Sequence, residues 1–262
     1  MNAEILTLGE SSRPPLVFLH GFLGSGKSWL PIAQEFASAY FCVLLDLPGH
    51  GLNAAGDLNS PLSFEDTSQF IHRALDALRL GAVTLAGYSM GGRAALAYAA
   101  RHPSRIRALI LESAHPGIEE EAQRAQRREE DAARAAFMLK HGMAAFVERW
   151  YESPLFASLK ERPSLKRALR KSAEENNPDW MAKTIQELSP GKEPALWEIL
   201  PALTFPVLLI AGGKDAKYCA ALQRAHSALP NAQLKIVSRA GHNVHAEEPE
   251  AYCQILRAWL NH

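Results

Sequence analysis

VTLAGYSMGGRAALAYAA, residues 83–100, is the stretch on which the fold turns. It opens as a short apolar run with β character, turns sharply at GYSMG (87–91), and continues as an alanine-rich helix former. A GxSxG placed between a strand and a helix is the arrangement a nucleophile elbow needs. The serine occupies a tight, strained turn, and small residues two places on either side let strand and helix approach. Ser89 is therefore expected at the carboxyl edge of a sheet, with the free N–H groups and positive dipole end of the following helix behind it.

A serine hydroxyl is a weak nucleophile or base until a histidine activates it and a carboxylate orients that histidine. Where such an elbow is used, the chain order is Ser, then Asp or Glu, then His. Asp215 follows the apolar run PVLLIAGG (206–213), and His242 follows QLKIVSR (233–239) within RAGHNVH. Both are expected on loops at the same sheet edge as Ser89. The chain has ten histidines; His245 is the nearest rival, and His20, His50 and His115 also fall on this edge. Glu112, ending the run IRALILE, is the alternative acid. HGFLGSG (20–26) follows a further strand-like run, so Phe22 and Met90 are the expected backbone N–H donors of an oxyanion hole.

Outward from this core the chain alternates strand-like and helical runs, the sign of an α/β fold with a mainly parallel sheet. Strands are predicted near 3–8, 16–20, 41–46, 83–87, 106–112, 206–212 and 233–238. The central ones are apolar throughout, as strands covered on both faces are. Helices are predicted near 28–38, 64–79, 90–101, 216–228 and 249–260. Between Glu112 and Pro206 about 90 residues contain no strand-like run. That is too long for a loop, so residues 113–205 read as a helical cap inserted into a core formed by 1–112 and 206–262.

Composition narrows the function. The 28 basic and 28 acidic residues give zero formal charge, which argues against a general nucleic-acid binder; an anionic partner must be met by locally placed arginines. Cys42, Cys219 and Cys253 form no CxxC pattern, so neither a disulfide framework nor a metal site is expected. With no signal peptide in MNAEILTLGE and no apolar run near the roughly 18 residues that span a bilayer, a soluble cytoplasmic protein without cofactor is expected. One motif points elsewhere: GFLGSGKS (21–28) matches the phosphate-loop pattern GxxxxGK[ST] in full. DLPGHG (46–51) follows too soon for a nucleotide switch, however, and no guanine-reading segment comes after it. Lys27 is then a surface side chain, and no nucleotide is expected.

HGF (20–22), DLPGHG (46–51), GYSMGG (87–92), GGKD (212–215) and GH (241–242) resemble the α/β-hydrolase superfamily. GYSMGGR, SAHPG (113–117), AQRAQRR (122–128), WYESPLFASL (150–159) and RAGHNVHAEEP (239–249) resemble one branch of it, the 2-succinyl-6-hydroxy-2,4-cyclohexadiene-1-carboxylate synthases of menaquinone biosynthesis. The similarity spans nearly the whole chain, most loosely over 160–200. It implies a carbon–oxygen lyase that eliminates pyruvate, with the activated serine as base and the oxyanion hole holding a ketone oxygen. The triad alone fits acyl transfer equally well, leaving a serine esterase or carbon–carbon bond hydrolase as the alternative. The branch's small-molecule substrate is a tricarboxylate. The resemblance assigns its carboxylates to Arg93, one helical turn past Ser89, to Arg127 in QRAQR, and to Arg170 rather than Lys171. It places Tyr88 and Trp150 in the pocket wall, whereas Arg124, Arg128 and Arg134 read as a solvated helix face.

Overall fold

The computed structural model describes residues 5–55 and 57–260; residues 3–4 of the first expected strand lie outside them. Seven strands form one sheet: β1 (Ile5–Leu8), β2 (Pro15–Leu19), β3 (Phe41–Leu45), β4 (Val83–Tyr88), β5 (Ile106–Glu112), β6 (Val207–Gly212) and β7 (Ala232–Val237). Their spatial order is β1-β3-β2-β4-β5-β6-β7. All neighbouring pairs are parallel except β1, which runs antiparallel to β3 on the edge. β2 and β4 share the centre, and the order reverses there. In open α/β sheets ligands bind outside the carboxyl ends of the strands at such a switch.

Burial follows this order. Every residue of β3, β4 and β6 is buried, whereas the edge strands β1 and β7 are largely part-exposed. The uniformly apolar runs FCVLL, VTLAG and VLLIAG are thus strands covered on both faces. Helices α1 (Leu30–Phe36), α2 (Phe64–Ala77), α3 (Met90–Arg101), α7 (Ala216–Ala228), the short α8 (Val244–Glu247) and α9 (Pro249–Leu260) flank the sheet. α2 begins in a capping box in which Ser63 accepts from the Asp66 N–H and Asp66 accepts from the Ser63 N–H, satisfying two otherwise orphan donors.

Between β5 and β6 there is no strand. α4 (Glu121–Tyr151), α5 (Pro163–Glu174) and α6 (Pro178–Glu187) fill the interval. α4 is interrupted at Gly142, whose φ of 79° only glycine adopts easily. Beyond the break, Phe146 and Tyr151 are buried. Among the described residues no helix is long and apolar enough to cross a membrane.

The elbow is the tightest point of the core. A Cβ on Gly87 would fall against the Gly91 carbonyl, and one on Gly91 against the Leu19 and His20 carbonyls. Gly87→Ala should therefore lower unfolding stability by about 1–3 kcal/mol, read from a shifted urea midpoint. Gly81→Ala, with nothing within 4 Å of the added methyl, should change it by less than about 0.5 kcal/mol.

Candidate active site

Ser89 has φ 51° and ψ −112°, a strained conformation for a non-glycine residue of the kind that functional sites hold in place. Its N–H donates to the Glu112 carbonyl at 2.8 Å, extending the β4–β5 pairing into the turn. The side chain then stands beside the carboxyl edge, 3.0 Å from His242 Nε2. His242 Nδ1 lies 2.8 Å from Asp215 Oδ2, so Nδ1 carries the proton and Nε2 is left to accept from the Ser89 hydroxyl. Asp215 is the N-cap of α7, and its second oxygen accepts from the Tyr218 N–H at 3.2 Å. The His242 loop is pinned by Glu247, which accepts the Gly241 and Asn243 N–H groups at 2.9 and 3.3 Å.

The rival acid is occupied elsewhere. Glu112 is fully buried, and its carboxylate faces His245: Oε2 lies 2.7 Å from Nδ1, and Oε1 accepts the His245 N–H at 3.1 Å. His245 is sandwiched against Trp29, with ring centroids 3.9 Å apart. His20 accepts the Leu47 N–H at 2.9 Å, and His50 donates to the Pro48 carbonyl at 3.2 Å; both hold turns. His115 Nδ1 accepts the Gly117 N–H at 2.9 Å. Burial, with Arg93, Lys217 and Arg127 nearby, pushes its pKa down to about 3.

A cavity of about 860 Å³ opens above Ser89, walled by α4, α6 and the start of α7. Phe22 and Met90 line it next to Ser89, and neither of their amides is engaged by another described group. Trp150 lines it too, its ring 5.3 Å from Phe22 and 5.8 Å from Phe146. Arg93 and Arg127 both reach this wall.

Three expectations need correction. Tyr88 lies beneath the site, packed under Gly21 with its ring 5.5 Å from His242, and does not line the cavity. Arg170 stands on α5 away from the cavity wall, as does Lys171; this is the stretch where the resemblance was loosest. Arg134 is part-exposed, as a solvated face implies, but it is not only a surface charge. It lines the cavity and, with Arg127, clasps the buried Asp131: Arg127 Nε at 2.7 Å and Arg134 Nη1 at 2.5 Å. Their i, i+4, i+7 spacing puts all three on one helix face, a signal the sequence carried. Arg124 and Arg128 do turn away, binding the Gly191 carbonyl and Glu121.

The geometry also adds residues. Arg149, Lys214 and Lys217 line the same cavity, as does Tyr218, 4.5 Å ring to ring from His242. Six cationic side chains line it against three carboxylates, Glu130, Asp131 and Asp215. The phosphate-loop motif is spent internally: Asp46 accepts the Gly26 and Leu52 N–H groups at 2.6 and 3.0 Å, and Lys27 is exposed.

A model of the alpha/beta hydrolase fold matches residues 14–249. The 2-succinyl-6-hydroxy-2,4-cyclohexadiene-1-carboxylate synthase of Salmonella arizonae is 33% identical, covering 95% of this chain and 96% of its own. A Bacillus subtilis protein bearing that synthase name provisionally is 35% identical over 96% and 92%. The chain belongs to the alpha/beta hydrolase fold family, among these synthases. The solved structure of MenH from S. aureus superposes with a TM-score of 0.94 at 32% identity, covering 100% of this chain and 98% of that one. An esterase from Thermogutta terrifontis, at 23% identity and TM-score 0.86 over 98% and 92%, shares the fold.

Two outcomes test the site. Ser89→Ala and His242→Ala should each lower kcat by about 10³-fold or more, and the double variant no further, because the groups act as a unit. Asp215→Asn should follow them while Glu112→Gln retains more activity; the reverse order would move the acid to Glu112. Separately, His115 is held neutral in the fold, so the unfolded chain binds the extra proton as pH falls below 6.5. Stability is therefore lost on acidification, by about 2 kcal/mol between pH 8 and pH 5 for a pKa near 3. His115→Asn, which keeps an acceptor for Gly117, should remove that share of the slope in urea titrations at the two pH values.

Proposed function

We propose that this protein eliminates pyruvate from 2-succinyl-5-enolpyruvyl-6-hydroxy-3-cyclohexene-1-carboxylate, giving 2-succinyl-6-hydroxy-2,4-cyclohexadiene-1-carboxylate for menaquinone biosynthesis. The observation that carries this reading is the cationic lining of the Ser89 cavity in a chain of zero net charge. A tricarboxylate is the substrate class such a wall suits. The relatives' names supply the particular member.

In this reading the Ser89 oxygen, hydrogen-bonded to His242, takes a ring proton while its own proton passes to Nε2. Asp215 stabilises the imidazolium that results. The electron pair moves onto the succinyl ketone oxygen, which the Phe22 and Met90 N–H groups face. Collapse of that enolate expels the enolpyruvyl oxygen and forms the second ring double bond. Ser89 keeps the ring proton as its hydroxyl, and the proton on His242 Nε2 goes to the departing enolpyruvate, which becomes pyruvate. No acyl-enzyme is formed. Residues 113–205 act as a cap that supplies Arg127, Arg134 and Trp150 to the reaction. Arg127 is the best-placed carboxylate receptor, because Asp131 engages only its Nε and leaves the terminal nitrogens for a two-point contact. Arg93 is already held by Glu193 and the Leu188 carbonyl, at 2.8 and 3.1 Å. The three cysteines are free thiols, which supports a reducing, cytoplasmic setting.

The test is pyruvate release from the tricarboxylate, followed with a coupled dehydrogenase. Arg127→Ala should lower kcat/KM by about 2–3 kcal/mol, roughly 30- to 150-fold, and Lys27→Ala should leave it within a few-fold. Ester hydrolysis without pyruvate release would instead identify a serine esterase.

A further inference from the structure

The arginines around the cavity are not equally neutralised. Asp131, with its side chain 1% exposed, is shared by Arg127 and Arg134 and also accepts the Ser189 hydroxyl at 2.7 Å. Arg134 also meets Glu130 at 3.3 Å, but that carboxylate is 44% exposed and screened by water. Arg127 has only its share of Asp131, so part of its charge is left to face the cavity. Arg93 differs. Its Nη1 meets Glu193 Oε2 at 2.8 Å, the two side chains being 8% and 2% exposed, and its Nη2 is taken by the Leu188 carbonyl. The Phe64 ring lies against it with the guanidinium carbon 5.0 Å from the centroid. Arg93 lines the cavity but Glu193 does not. A ligand approaching Arg93 therefore meets a cation whose field is largely cancelled by a carboxylate directly behind it, in surroundings too dry to screen either charge.

We propose that Glu193 is an affinity-determining residue: its carboxylate competes with a substrate carboxylate for Arg93 and so weakens binding of the acidic substrate. This rests on the reading of the cavity as a tricarboxylate site. A substrate anion at Arg93 gains the attraction of the guanidinium and meets the repulsion of Glu193 together. Glutamine keeps the volume and an oxygen for Nη1, holds Arg93 in place, and removes only the opposing charge.

The experiment compares wild type and Glu193→Gln in steady-state pyruvate release, with circular dichroism to verify the fold. E193Q should lower KM about tenfold, the order of effect of one uncancelled charge in a water-excluded site. Its kcat should stay within about twofold, and its KM should rise more steeply with added salt than that of wild type. Arg93→Ala added to E193Q should abolish the gain. A merely structural role predicts the opposite sign, with KM unchanged or raised and kcat reduced, and that result overturns the proposal. Should E193Q not fold, Glu193→Asp retains the charge but lengthens the ion pair. A smaller fall in KM then supports competition, and an unchanged or higher KM refutes it. Absence of pyruvate release from wild type would remove the underlying reading and this inference together, whereas release with a KM indifferent to Glu193 removes the inference alone.

Discussion

The site depends on the hydrogen bond from the Ser89 N–H to the Glu112 carbonyl, 2.8 Å long. It holds a residue at φ 51° that, left to itself, would relax by about 1–3 kcal/mol into an ordinary conformation. The close approach of Gly87 and Gly91 prevents that relaxation from within, since any other backbone path would drive strand into helix. Glu112 then acts a second time through its side chain, gripping both the N–H and the Nδ1 of His245. One residue at the end of β5 thus ties the serine turn to the segment that carries His242. The 3.0 Å Ser89–His242 separation follows from sheet pairing rather than from a local contact between two loops.

Electrostatics in this molecule are local by design. Equal numbers of acidic and basic residues cancel at long range, so nothing steers anions to the protein at large. Six cations are gathered at one cavity, and buried carboxylates divide them into different strengths. Arg127 and Arg134 share Asp131, Arg134 also meets the more exposed Glu130, Arg93 is matched one to one by Glu193, and Lys214 is paired at the surface with Glu161. Arg149 and Lys217 have no carboxylate partner among the described residues. A polyanionic ligand would feel this graded pattern as orientation as well as affinity, because complementary charge placement fixes register.

The elements that could be read from the sequence are those whose signal is periodic or anchored by a turn. β3, β4 and β6 announce themselves as unbroken apolar runs because both faces are covered. Ser89, Asp215 and His242 follow from their positions at the ends of such runs. The positions that could not be read depend on how the insertion folds back over the sheet. Glu193 lies in a turn with no periodicity, yet it reaches Arg93 across 100 positions of chain. Arg170 belongs to a loosely matching stretch on α5 and is not among the side chains that line the cavity. Tyr88, next to the nucleophile in sequence, is directed under the site by the same strained turn that lifts Ser89 out of it. Arg134 is as exposed as Arg124 and Arg128, which bond the Gly191 carbonyl, so exposure alone does not separate them. Its relation to Asp131 and Arg127 at three and seven residues was the better guide.

The phosphate-loop motif shows why a pattern needs its amides as well as its letters. A loop of this type binds phosphate by converging several free N–H groups on one anion. In GFLGSGKS the Gly24 N–H bonds the Gly21 carbonyl, the Ser28 N–H bonds the Ser25 carbonyl, and the Gly26 N–H bonds Asp46. Asp46, the residue a nucleotide switch would use on a metal ion, is instead the anchor that folds the loop. With those donors consumed, the Phe22 amide is left beside Ser89, where the N–H of Met90 is also unengaged. Two amides next to a serine suit one developing oxyanion rather than a chain of phosphates. The glycines that make the segment look like a nucleotide loop are the ones that let it turn tightly enough to present a single donor at the elbow.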